Sequence, residues 1–173
     1  HRATPANSWN ITKQTKISLS SFDKPSGLNA IYYSIDGAGA LTYTASIDLS
    51  ALSEGAHNFS AYAKDNVTNT GPKLKFDMWV DLTVPFTNVS LGAPKYPTIT
   101  TGLYNISPTT KITLNGTDDH SGVNQTFYKI DGGTIFNYTA PFTIPVSTGV
   151  HTISLRSQDN LGNLEDWKSY DVF

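Results

Sequence analysis

The chain has no cysteine and a single methionine, Met78, in 173 residues. Without cysteine there are no disulfides, no thiol catalysis, no Cys-ligated zinc and no iron–sulfur cluster. Charge is also scarce. Only 15% of residues are Asp, Glu, Lys or Arg, and 12 basic against 14 acidic side chains leave a net charge of −2. That balance excludes a basic nucleic-acid-binding surface and equally a polyacidic tail. No apolar run approaches the roughly 20 residues of a membrane helix. No positively charged leader followed by an apolar stretch opens the chain. It begins His1-Arg2-Ala3-Thr4-Pro5, which reads as a processed form or a piece of something longer. What the chain has in plenty is hydroxyl, with 39 Ser and Thr. Its 38% hydrophobic and 12% aromatic residues are enough to build a core, which argues against disorder.

An internal repeat organises the rest. Lys16–Gly37 and Lys111–Gly132 align without a gap, and 11 of their 22 positions are identical. Tyr43 falls on Tyr138 at the same offset of 95 residues. After one deletion the offset becomes 94. Gly55-x-His57 then falls on Gly149-x-His151, Asp65-Asn66-x-x-Asn69 on Asp159-Asn160-x-x-Asn163, and Phe76-Asp77 on Tyr170-Asp171. Upstream, Trp9-Asn10-Ile11 falls on Tyr104-Asn105-Ile106. A period this long is the size of a domain, not of a solenoid repeat. The expectation is two copies of one domain, residues 1–82 and 83–173.

Each copy reads as β-structure. Apolar residues alternate with mostly polar ones at Ile112/Leu114, Tyr128/Ile130 and Ile153/Leu155, and at Ile17/Leu19, Tyr33/Ile35 and Phe59/Ala61. Turn signals separate the runs: Ser26-Gly27, Asp36-Gly37, Glu54-Gly55, Ser121-Gly122, Asp131-Gly132, Thr148-Gly149 and Leu161-Gly162. Short strands at this spacing predict antiparallel sandwiches. Asp48–Glu54 has room for one short helical turn. The join near Asp81–Pro85 has few free residues and predicts a short, stiff junction. The second copy opens with a strand at Phe86–Leu91. Residue 1 aligns with residue 96, so the first copy has no counterpart to that strand. Either the sequence begins inside a domain or a neighbouring molecule supplies the strand, as open sheet edges invite.

Asp118-Asp119-x-Ser121-Gly122-Val123, Tyr128-x-Ile130-Asp131-Gly132-Gly133, Tyr138-Thr139-x-Pro141-Phe142, Gly149-x-His151-Thr152 and Ser157-x-Asp159-x-x-Gly162-Asn163-x-Glu165 together resemble the Ig-like repeats of bacterial and archaeal surface and secreted proteins. Asp81-x-Thr83-x-Pro85-x-Thr87 resembles the start of such a repeat. The first copy departs from the pattern. Lys24-Pro25 replaces the second Asp and the His, and Val67-Thr68 replaces Leu-Gly. The resemblance implies tandem Ig-like sandwiches in S-layer-type proteins, adhesins or accessory modules of secreted hydrolases, with no activity of their own.

The strongest chemical signal is the Asn-x-Ser/Thr acceptor for N-linked glycans. Eight asparagines qualify: Asn10, Asn58, Asn66, Asn88, Asn105, Asn115, Asn124 and Asn137. Random placement of the 13 asparagines among 39 Ser and Thr would give about three. Glycans fit a protein outside the cell, and an archaeal surface suits them best. Their carriers must lie on loops or outward strand positions, so Asn58, beside an inward Phe59, should face out.

The acids and histidines read mainly as structure. Asp81, Asp118, Asp119 and Asp159 offer oxygens that could gather Ca²⁺, but no spacing matches an EF-hand loop. Asp23, Asp36 and Asp65 repeat three of the acidic positions beside Ser-Gly, Gly or Asn, where Asp caps a turn. His57 and His151 are repeat-equivalent and read as packing or hydrogen-bonding residues rather than catalytic ones. No H-E-x-x-H, G-x-S-x-G or phosphate-binding loop is present. Tyr33/Tyr128, Tyr43/Tyr138, Trp9/Tyr104 and Trp79/Phe173 pair across the copies and read as core. Trp167 and Tyr96 are unmatched, which is thin support for a sugar-stacking platform. The sequence therefore predicts a non-catalytic, glycosylated extracellular unit of a surface layer, filament or adhesin, without cofactor. It would contact copies of itself or neighbouring surface proteins. The alternative is a carbohydrate- or partner-binding module of a secreted enzyme.

Overall fold

A computed structural model describes residues 8–97, 103–144 and 148–173. The chain divides into two compact units, Arg2–Leu82 and Thr83–Phe173. Among the described residues there is no helix. Leu52 N–H donates to Leu49 O and closes Asp48–Glu54 as a simple turn.

In the first unit the strands are β1 (Ser8–Ile11), β2 (Lys16–Ile17), β3 (Leu28–Ile35), β4 (Leu41–Thr42), β5 (Ile47–Asp48), β6 (Gly55–Asp65) and β7 (Leu74–Val80). They form a five-stranded sheet, β1-β7-β6-β3-β4, and a two-stranded sheet, β2-β5. In the second unit β8 (Phe86–Leu91), β9 (Lys95–Pro97), β10 (Tyr104–Ile106), β11 (Ile112–Thr117), β12 (Val123–Ile130), β13 (Phe136–Asn137), β14 (His151–Asp159) and β15 (Lys168–Val172) follow. Here the large sheet runs β13-β12-β14-β15-β10-β9, and β11 pairs with β8 as the small one. Pairing is antiparallel except that β1 lies parallel to β7 and β10 parallel to β15. Side-chain alternation gives no sign of strand direction, so this pair was invisible in the sequence.

Alternation does decide what is buried. In the first unit Ile47, Leu49, Phe59, Ala61, Met78 and Val80 form the core, with Ile17, Leu19 and Tyr33 packed on it. In the second, Ile112, Leu114, Ile144, Ile153, Leu155 and Val172 form the core. The long hairpins are closed by Asp-Gly turns. Asp36 and Gly37 both have positive φ (54° and 70°), as do Asp131 and Gly132 (50° and 69°). Ala38 N–H donates to Ile35 O and Gly133 N–H to Ile130 O. This is the type I′ geometry that matches strand twist.

Candidate functional site

The residues that chemistry would need are engaged in turns, and the engagement is duplicated. His57 Nδ1 lies 2.7 Å from Asp36 Oδ2 and its Nε2 lies 2.9 Å from Ser53 O. Both ring nitrogens thus face acceptors, the arrangement of an imidazolium. Burial works against protonating His57, but the Asp36 and Ser53 hydrogen bonds outweigh it and hold its pKa above the usual value. Burial likewise opposes the charged form of Asp36, and the His57 contact with the Asn58 N–H wins, so its pKa is lowered. His151 Nδ1 lies 2.7 Å from Asp131 Oδ2 in the second unit. The hydrogen bond from His151, then that from Thr152 N–H, lowers the Asp131 pKa.

Asp65 and Asp159 do the same job in each copy. Asp65 Oδ1 accepts N–H groups from Val67 and Asn69, and Oδ2 accepts Asn69 Nδ2 and Ser26 Oγ. Asp159 Oδ1 accepts Leu161 and Asn163 N–H groups, and Oδ2 accepts Asn163 Nδ2 and Ser121 Oγ. Each carboxylate clamps a following loop to the preceding Ser-Gly turn, where Gly27 and Gly122 sit at φ of 77° and 80°.

Of the residues considered for Ca²⁺, Asp118 and Asp159 come together within 4.8 Å, carboxylate to carboxylate. Asp118 Oδ1 already accepts the N–H groups of His120 and Gly122. Asp118 Oδ2 is buried without a hydrogen-bond partner among the described residues. Asp119 is exposed. Asp81 follows β7, and its N–H donates to Ile11 O.

Seven of the eight acceptor asparagines are exposed: Asn58, Asn66, Asn88, Asn105, Asn115, Asn124 and Asn137. Asn10 is half-buried. Asn88 and Asn115 stand directly opposite each other on β8 and β11. Asn66 Nδ2, the atom that would carry a glycan, donates to Ser26 O at 2.9 Å.

The second unit holds a polar lock that sequence reasoning missed. Thr87 and Glu165 are buried. Thr87 N–H donates to Glu165 Oε1 and its hydroxyl to Glu165 Oε2. Thr87 Oγ1 lies 2.7 Å from Ser157 Oγ, which in turn lies 2.7 Å from Thr126 Oγ1. Lys168 Nζ pairs with Glu165 Oε1, donates to Thr87 O and covers the Phe86 ring at 3.4 Å. The lock fastens β8 across the large sheet. Gly116 opposite Thr87 makes room, because a Cβ there would lie 2.6 Å from Ser157 Oγ.

The first unit has no strand in that place among its described residues. Its counterpart of β11 is a strand only at Lys16–Ile17 and continues without pairing through Ser18–Phe22. Beside it lies a groove of about 450 Å³ lined by Leu19, Ser21, Phe22, Ile31, Ala63 and Leu74, among others. The lock residues are replaced: Thr126 by Ile31, Ser157 by Ala63, Glu165 by Gly71 and Lys168 by Leu74. The alignment holds in three dimensions, because Gly71 N–H donates to Ala63 O as Glu165 N–H does to Ser157 O. Phe22 and Leu74 stand 77% and 53% exposed beside this groove.

Two aromatic expectations fail. Trp9 is 67% exposed and Tyr104 37%, although they were read as core. Trp9 lies on β1, an edge strand covered from one side only, and stacks on Phe76 at the rim. Phe173 is exposed while its counterpart Trp79 is half-buried. Arg156 and Lys129 lie over the Trp167 ring at 4.4 and 4.6 Å.

The fold is thus all-β, two tandem Ig-like sandwiches. No family model matches the chain, and no curated protein matches it. Among solved structures it is similar to the fibronectin(III)-like modules of Clostridium thermocellum CbhA, at 17% identity and a TM-score of 0.44, covering 98% of this chain and 90% of that one. It is also similar to the D00-D0 domain of intimin, at 15% identity and a TM-score of 0.38, covering 99% and 95%.

Proposed function

We propose that the chain is a non-catalytic structural unit on the outside of a cell, part of a glycosylated surface layer, filament or adhesin. One observation carries this reading. His57 with Asp36, His151 with Asp131, Asp65 and Asp159 are engaged in turns, and these clamps recur in both copies. A duplicated unit selected for chemistry would keep one such group free in a cleft. N-linked glycans on the exposed acceptors would shield a surface that has little charge to keep it soluble.

Thr68 adds support from strain. It sits at φ 71°, where the second copy has Gly162 at 93°. A β-branched residue is costly there. Thr68 completes the Asn66-Val67-Thr68 acceptor, so a glycan on Asn66 gives a reason for tolerating the strain. Immunogold labelling of intact source cells tests the location. Label on unpermeabilised cells is expected. Label that appears only after permeabilisation contradicts the proposal.

The second reading is a carbohydrate-binding module. Tyr104 and Tyr170 line a groove of about 430 Å³ in the second unit, with Lys95 and Asp171 beside them. Retention on insoluble polysaccharides that Tyr104→Ala abolishes would favour it.

A further inference from the structure

We infer that the outer face of the large sheet in the second unit is a docking strip for the glycan of Asn137, and that this glycan carries an acidic sugar. The inference rests on the reading that the acceptor asparagines are glycosylated, and it adds which glycan is held and by what. It starts from two cations without an anion. Arg156 on β14 and Lys129 on β12 both lie over the Trp167 ring, at 4.4 and 4.6 Å, and Arg156 also lies over Phe127 at 6.0 Å. Among the described residues neither cation forms an ion pair or a hydrogen bond. Arg156 Nε is buried without an acceptor. Both side chains are half-buried, so each has given up part of its water. A ring face answers the charge of a guanidinium but leaves its in-plane N–H donors open. The next outward acids, Asp131 and Asp171, are held by His151 and Thr152.

The sheet arranges these groups as a row that begins at an acceptor asparagine. Tyr128, Ile130, Ile153, Leu155 and Val172 pack inward on the core. Alternation therefore puts Phe127, Lys129, Arg156 and Ser169 on the outer face. Asn137 stands opposite Phe127, and Phe127 opposite Arg156. Trp167 ends the row beside Arg156. Asn137 lies on the edge strand β13, and both it and Thr139 are exposed. The amide and the hydroxyl of this Asn-Tyr-Thr acceptor are thus both reachable.

Side chains directly opposed on one face have Cβ atoms about 5 Å apart. The first sugar on Asn137 Nδ2 therefore lies against the Phe127 ring. Each further strand is about 5 Å away, so the next sugars of the same chain cross to Arg156 and Trp167. Their apolar faces meet the aromatic rings. A carboxylate carried there accepts the open donors in the guanidinium plane and sets an opposite charge beside Lys129. The first unit supplies a contrast. Its place for Asn137 is Thr42, opposite Tyr32, which belongs to no acceptor motif. Tyr62 replaces Arg156, Ser34 replaces Lys129 and Lys73 replaces Trp167. There Tyr32 and Tyr62 stack on each other at 5.3 Å. The edge acceptor and this pair of cations are present together in one copy and absent together in the other.

The test compares protein from its source with the same chain made in a host that adds no N-glycans. Glycopeptide mapping should place an acidic glycan on Asn137. By NMR, the Arg156 Nε–H of the glycosylated chain should exchange about tenfold more slowly than that of the bare chain, as a bond to a charged acceptor requires. Asn137→Gln made in the source should abolish the difference, and Asn124→Gln, which removes the acceptor on β12, should leave it. The bare chain is also titrated with trigalacturonate. Saturable shifts at Phe127, Arg156 and Trp167 are expected in the roughly millimolar range, which suffices for a tethered sugar. Arg156→Gln should weaken them about tenfold, and a neutral trisaccharide of galactose should leave Arg156 unmoved. A glycan mapped on Asn137 with Arg156 Nε–H unchanged from the bare chain overturns the inference and leaves glycosylation standing. A bare chain that ignores trigalacturonate, or binds the neutral sugar equally, overturns it too. So does native protein with Asn137 unoccupied, and the other seven acceptors then decide the glycosylation reading by themselves.

Discussion

Glu165 was visible in the sequence only as the last acid of a loop pattern. Its role as the buried centre of a lock depends on Thr87, 78 residues earlier, and no local rule reaches that far. Glu165→Ala leaves Lys168 and Thr87 facing a void and should destabilise the second unit by about 3–5 kcal/mol, the usual loss when one partner of a buried ion pair is removed. Calorimetry should show that transition move while the first unit's transition stays. The His57–Asp36 pair makes a second prediction. The folded-state pKa of His57 is raised, so its contribution is full below about pH 6.5 and is lost as pH rises through the folded value. Asp36 is shifted down, so its contribution is present above about pH 3.9 and lost only as pH falls through its lowered value. Between those limits both act. The melting temperature of the first unit should therefore fall from pH 6 to pH 8, and His57→Gln should flatten that slope.

At the level of elements, the turns and the alternation were legible because both obey short-range rules. Asp36-Gly37 and Asp131-Gly132 announce type I′ turns, and Phe59/Ala61 and Ile153/Leu155 announce inward faces. The exposure of Trp9 was not legible, because its pattern matches a core position and only the strand order reveals that β1 lies at an edge. The clamp loops show how one turn tolerates two sequences. Gly162 is at ease at positive φ and Thr68 is not. Thr68→Gly should stabilise the first unit by up to about 1 kcal/mol, limited by the greater freedom glycine has in the unfolded chain. It should also remove one glycan mass if Asn66 carries one. Tryptic glycopeptide mapping of native material, beside thermal melts of the variant, reads both. A turn that loses stability on gaining glycine would contradict the assignment of strain.

For the whole molecule, the duplication was the most legible feature, since half of a 22-residue stretch is identical between copies. What the duplication concealed is the replacement of the lock residues Thr126, Ser157, Glu165 and Lys168 by Ile31, Ala63, Gly71 and Leu74. In the second unit β8 and the buried lock cover this face, while in the first a groove of mixed polar and apolar lining lies beside Ser18–Phe22, which pairs with no strand among the described residues. Glycan mass belongs to this scale too. With Asn88 and Asn115 directly opposed, two glycans there would share one patch of surface, so full occupancy at both is expected to be the least common among the acceptors. Intact-mass and site-mapping spectra of native protein would show it. The central claim, that this is a structural unit of an outer surface, is met most directly by electron microscopy of native surface preparations. The account predicts ordered sheets or filaments whose repeating density accommodates the two sandwiches. Dispersed single copies, or the unit attached to a larger soluble enzyme, would contradict it.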